Sequence, residues 1–249
     1  MRSFFFILFI FSSVSVSSQI LNAESLRKVT DTSGWSGSVS LNFALKRSTN
    51  DFFTISSDVH VQYKMKKHLI LFKNQIYFQK IEDEKFSNNG ISHLRYNYRF
   101  HKRIAWEFFM QGQYNKVSKI DFRGLIGTGP RFKLTTSEKY KFYLGTLVMF
   151  ELEELSDGTE IQRNIRGSSY LSFSLYPTDR LTIVSTTYYQ PRFSDLSDYR
   201  ISSQSSLAVD LIKSFAFTIN YTFTYDETPA IGIPNSQYSF TTGLTYSFD

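Results

Sequence analysis

Four histidines, His60, His68, His93 and His101, are the candidates for proton transfer in a 249-residue chain with no cysteine. A hydrolase working on membrane lipid would need one of them beside a serine or threonine nucleophile, presented towards the lipid. No G-x-S-x-G segment occurs, and serines such as Ser36, Ser38 and Ser40 fall at every second position of an alternating run. The same alternation puts His60 and His93 on a polar face, while His68 and His101 sit at turns beside basic residues. Metal chemistry fares no better. The lack of cysteine removes thiolate sites and disulfides. Asp157, Glu160, Asp195 and Asp198 read as solvated loop acids without the spacing of a calcium loop. Gly124, Gly127 and Gly129 in GLIGTGPRF could suggest a phosphate cradle, but a strand continues where a helix would have to start. The expectation is no enzyme, no metal and no cofactor.

A second constellation could act through charge. Strand pairing about the short turns FHKR, NKVS and TTSEK puts His93 opposite Gln111, Gln111 opposite Arg123 and Arg123 opposite Glu151. Across the SDGT loop Arg166 falls within a residue or two of Glu151, and Glu153 lies just above. The predicted result is an inward belt, His93–Gln111–Arg123–Glu151–Arg166 with Glu153. It would serve either as a structural latch tying neighbouring strands or as a solute-selecting constriction.

Such a belt needs strands, and the chain supplies them. From Ile91 to Leu134, Leu94, Tyr96, Tyr98 and Phe100 alternate with His93, Arg95, Asn97 and Arg99. Ile104, Trp106, Phe108 and Met110 then alternate with Glu107, Phe109 and Gln111. Ile120, Phe122, Ile126 and Phe132 follow, against Asp121, Arg123, Gly127 and Arg131. Strand side chains point to opposite faces with a period of two, so each segment has an apolar and a mostly polar face. Phe215 to Tyr225 gives the cleanest such face, whereas Leu181 to Gln190 alternates too weakly to be assigned. About twelve strands emerge, joined by connections that mostly alternate short and long. IEDEKFSNNG, ELSDGTE, PRFSDLSD and DETPAIGIPNS read as the long ones.

Residues 1–18 have the form of a secretory signal peptide, with Arg2, an apolar run from Phe4 to Phe11 and a small-residue tail. The expected cut lies between Ser18 and Gln19. Residues 19–33 read as a periplasmic lead-in and 34–249 as one barrel domain. Aromatics make up 17% of the chain and mean hydropathy is only −0.25, which suits lipid-facing strands and no spanning helix. The net charge of +6 raises nucleic acid as a partner. The basic residues alternate with aromatics or sit in turns, so no nucleic-acid partner is expected. The spacing of Thr241, Gly243, Tyr246 and Phe248 at the end of the chain resembles the signal by which outer-membrane barrels are recognised for insertion.

The phrases HLRYNYRF, WEFFMQGQYNK, RGLIGTGPRFKL, TTYYQPRF, DYRIS and the YDETP…GLTYSF ending resemble the YdiY-like salt-induced outer-membrane proteins. That family is domain of unknown function 481, here in a form similar to those of Bacteroidetes-type bacteria. The resemblance runs from about Gly34 to Phe248 and implies a barrel while supplying no activity and no catalytic residue.

The sequence therefore predicts an all-β transmembrane antiparallel β-barrel in the outer membrane, with both termini periplasmic. Its partners would be outer-membrane lipids and the barrel-insertion machinery. Its role would be that of a passive small-solute channel or a structural membrane protein. The runner-up is a secreted or periplasmic soluble barrel that binds a small apolar ligand, in which the Phe215-to-Tyr225 face would be buried. A lipid-modifying enzyme comes third.

Overall fold

The computed structural model describes residues 33–47, 51–81, 84–137, 139–156, 158, 161–212 and 215–246. Their regular structure is entirely strand: β1 (Gly34–Arg47), β2 (Asp51–Met65), β3 (His68–Ile81), β4 (Glu84–His101), β5 (Ile104–Asn115) and β6 (Ile120–Lys133) form the first half. The second half comprises β7 (Tyr140–Leu155), β8 (Gln162–Thr178), β9 (Leu181–Arg192), β10 (Asp195–Ile212), β11 (Phe215–Asp226) and β12 (Ser236–Tyr246). Each strand pairs antiparallel with the next, in one twelve-stranded sheet whose spatial order is the chain order. The sheet rolls into a barrel. Side chains five strands apart meet inside it, as Arg123 of β6 does with Asp226 of β11. Twelve strands bring the start of β1 and the end of β12 to the same rim as the β2–β3 turn.

The alternation read from the sequence is the inside–outside division of this barrel. On β5 Trp106, Phe108 and Met110 are exposed, Phe108 by 44%, while Glu107 between them is fully buried at 0%. Charged residues buried inside and aromatics exposed outside invert the arrangement of a soluble sandwich. They are what a lipid solvent demands. Phe217, Ile219, Tyr221 and Phe223 on β11 also lie on the part-exposed to exposed outer face, not buried as the soluble runner-up requires. The undecided segment resolves as β9. Thr186, Tyr188 and Gln190 turn inward, whereas Thr187 and Tyr189 are exposed outside.

Two predicted long loops are mostly strand. β3 runs to Ile81 and β4 begins at Glu84, so IEDEKFSNNG continues the ladder. β9 ends at Arg192 and β10 begins at Asp195, which removes most of the PRFSDLSD loop. Polar side chains hid the strands there, yet backbone pairing continues wherever the neighbouring strand also continues. Pro130 falls near the end of β6, and the β6–β7 register skips it, passing from Thr128–Val148 to Arg131–Gly145.

Candidate functional site: a salt-bridged layer across the barrel

The interior of β5–β10 is a stack of layers, and the belt residues make one of them. Glu151 and Glu153 point inward from β7. Arg123 stands opposite Glu153 in the β6–β7 register and ion-pairs with it, with Nε also 3.6 Å from Glu151. Arg166 of β8 donates from Nε to Glu151 at 2.6 Å. Its Nη1 reaches Asp198 Oδ1 at 3.0 Å and the carbonyls of Gln190 and Asp198 at 3.3 Å. Arg200 of β10 ion-pairs with Glu151 and donates from Nη2 to both Glu153 oxygens at 3.1 Å. From Nε it reaches Asp226 at 2.7 Å. Arg192 closes the set, 3.2 Å from the second Asp198 oxygen. Arg166 is 0% and Glu151 1% exposed. Charges this deep are tolerable only because each has several partners, and removing one would leave the others uncompensated.

The structure places the predicted belt residues in or beside this layer, in a different register. His93 does stand opposite Gln111, with His93 Nδ1 and Gln111 Oε1 2.9 Å apart. Gln111, however, stands opposite Leu125 and reaches the layer through Gln113, donating to it at 2.7 Å. Gln113, not Gln111, faces Arg123. Arg123 faces Glu153, not Glu151, and Arg166 faces Met149. Each displacement is two residues, which keeps a side chain on its face, so membership survives an error in pairing. In β5–β6 the irregularity at Gln113/Asn115 contributes to the displacement, whereas the β6–β7 ladder is already displaced at Lys133–Tyr143, beside its turn. Asp198, expected as a solvated loop acid, is buried in the layer. Asp195 is exposed, and Asp157 and Glu160 lie outside the described residues.

Sequence reasoning missed Arg200, the residue that bridges both glutamates and Asp226. The signal existed: Asp198 and Arg200 alternate with Tyr199 and Ile201, but the loop assigned there concealed it. A second charged layer was missed as well. Buried Glu107 accepts from Tyr170 Oη at 2.6 Å and from Arg131 at 3.3 Å, with Arg95 3.8 Å away. Between the two layers Phe109, Leu125, Leu147, Met149, Tyr170 and Tyr188 pack as an apolar core. Gly127 and Gly129, in the run weighed against a phosphate cradle, and Gly145 of β7 serve this packing, whereas Gly124 faces outward. A Cβ at Gly127 would collide with the Phe109 ring, and one at Gly145 with the Tyr170 ring.

The β11–β12 loop covers the other side of the Glu151 layer. Ala230 packs with Ile120 and Leu155, Ile233 lies against them, and Lys119 Nζ donates to the Ile231 carbonyl at 2.7 Å. One cavity of about 40 Å³ lies between the layer and the apolar core, and another of about 40 Å³ beneath the loop. Gln113, Arg123 and Arg200 line both. Spaces of that size hold a water or two. Of the histidines, His60 and His93 are buried inward, while His68 Nδ1 lies 2.7 Å from Tyr96 Oη on the outer face. Thr241, Gly243 and Tyr246 lie on β12, with Gly243 paired to Thr218, and Phe248 lies outside the described residues.

An all-antiparallel barrel with an apolar outer wall and an ion-paired interior is a β-barrel of the outer-membrane type. The chain belongs to the family described as "Protein of unknown function, DUF481", whose profile matches residues 39–248. No curated protein matches it in sequence. Among solved structures, the NanC porin is similar at TM-score 0.50 and 10% identity, covering 78% of this chain and 94% of its own. The KdgM porin gives a TM-score of 0.43 at 10% identity, over 84% and 99% of the two chains. The translocator domain of the autotransporter NalP from Neisseria meningitidis gives 0.42 at 9%, over 90% and 91%. At such identities the first of these likenesses speaks for the fold alone.

Proposed function

We propose that this protein is a passive outer-membrane channel for small hydrophilic solutes, with the Glu151 layer serving as a latch. The observation that carries the reading is the contrast inside the barrel. Every acid of the layer is engaged by arginine, so the layer is spent on holding strands together. The inward positions Thr54, Ser56 and Asp58 of β2, Gln75 and Gln79 of β3, Gln204 and Ser206 of β10, and Asn220 and Thr222 of β11 are polar and part-exposed. The hydroxyl and amide groups there can exchange hydrogen bonds with a passing solute, and Asp58, which accepts from Gln75, is the one charged member of the set. Catalysis has no place in the reading, because His60 and His93 are turned away from the lipid.

The location follows the same reading. Residues 1–18 act as a signal peptide cut between Ser18 and Gln19, and 19–33 lie in the periplasm with both barrel ends. The Thr241–Phe248 segment is read by the insertion machinery. Purified protein in planar bilayers should show small, ohmic, weakly ion-selective steps. Folded, inserted protein that stays electrically silent would overturn the channel and leave a structural barrel.

A further inference from the structure

We propose that the outer wall holds one acyl chain of a bilayer lipid in an oblique groove across β3–β7, with Gly112 and Gly124 as its floor. The two glycines stand opposite each other in the β5–β6 register. They continue a row that runs Asn74, Ser92, Gly112, Gly124, Leu152 from β3 to β7. Around them Phe72, Leu94, Met110, Phe122, Phe150 and Leu152 enclose a groove of about 560 Å³. The two polar members of the row satisfy each other, Asn74 Nδ2 donating to Ser92 Oγ at 2.8 Å, so the wall offers a chain an apolar path.

Gly112 has no reason to be glycine within the protein. Its backbone is an ordinary strand, and a Cβ there would meet only the Phe122 ring at 3.7 Å, a normal contact. The glycines of β6 and β7 differ: a Cβ at Gly124 would press on the Phe122 ring at 3.0 Å, and at Gly127 and Gly145 a Cβ would strike buried rings. What the missing side chain at Gly112 creates is the groove. Four strand spacings of about 4.8 Å make it about 19 Å long. A hydrocarbon core of about 30 Å gives each leaflet about 15 Å, so the groove matches one chain of one leaflet. The occupant is lipid because the groove is continuous with the wall that faces the bilayer. The proposal rests on that membrane placement and not on the channel reading.

The test uses full-length protein reconstituted in phosphatidylethanolamine vesicles doped with a phospholipid carrying a diazirine on its acyl chain. After irradiation, adducts should concentrate on the peptides that span Met110–Ile126. Gly112→Leu fills the groove from the lipid side, and labelling there should fall about tenfold, the loss expected when one or two methylenes give up their contacts. Ser203→Leu, on the outer face of β10, should leave it unchanged, and heat-modified gel mobility confirms that both variants fold. Labelling spread evenly around the wall, or unchanged in Gly112→Leu, overturns the proposal. Conductance of Gly112→Leu should equal that of the unaltered protein, so the groove and the channel stand or fall separately.

Discussion

The inner walls of β5–β9 and of β2–β3 with β10–β11 are written in the same alternating code, yet they are built for different ends. In the first, arginines, acids and large apolar or aromatic side chains turn inward together and pack against one another across the lumen. Arg166, Glu151, Met149 and Glu107 there are among the most deeply buried side chains described. In the second, Ser56, Gln79, Gln204, Ser206 and Asn220 are polar and keep part of their surface open. An inward position is therefore not by itself a lumen position. Cross-lumen pairing marks the packed wall, where arginines and a tyrosine meet acids from distant strands, whereas the second wall offers mostly hydroxyl and amide groups.

The largest effect should come from the fully buried cation of the packed wall. Arg166→Met removes the partner of both Glu151 and Asp198, and the barrel should lose about 3–5 kcal/mol of stability in detergent denaturation. Strand-by-strand hydrogen exchange would place the loss on β7–β10. Glu151→Gln should cost somewhat less, about 3 kcal/mol, since the amide still accepts from one arginine. Its ion selectivity in a bilayer should not move. Greater anion selectivity with unchanged stability would make the layer a constriction instead of a latch.

A change on the lipid side sets the scale for both walls. Ile219→Arg, on the outer face of β11, should cost about 2–4 kcal/mol near the bilayer midplane and deplete the protein from the outer-membrane fraction. Folded wild-type protein recovered soluble from the periplasm would undo the membrane reading altogether. The smallest effect is expected at the polar wall. Gln204→Ala should change stability by no more than about 0.5 kcal/mol, yet raise single-channel conductance by widening the passage. A large stability loss there would erase the distinction between the two walls.

Much of this was legible in the chain. Period-two alternation needs no knowledge of neighbours, so faces such as Phe108 outward and Glu107 inward were readable on nearly every strand. Strand ends were not, because the ladders through Glu84–Gly90 and Asp195–Asp198 run beneath polar side chains that look like loop. The belt was legible as a set of residues, and His93–Gln111 as a pair, while the partners of Arg123 were read two residues off. Parity is a local property, whereas register depends on turn closure and bulges that leave no mark in composition.

The sequence by itself determined the class: a membrane barrel of about twelve strands with acids and arginines turned inward. It could do so because hydrophobic alternation and the positions of charged residues are properties of each segment alone. Only the tertiary structure decided that Arg200 bridges Glu151, Glu153 and Asp226, that Tyr170 reaches Glu107, and that the loop after β11 folds over the layer. Those contacts join residues up to 112 positions apart, as Lys119 and the Ile231 carbonyl of that loop are, whereas Tyr170 and Glu107 are 63 apart across the interior. The curvature of the sheet, which no single strand encodes, sets which of them meet.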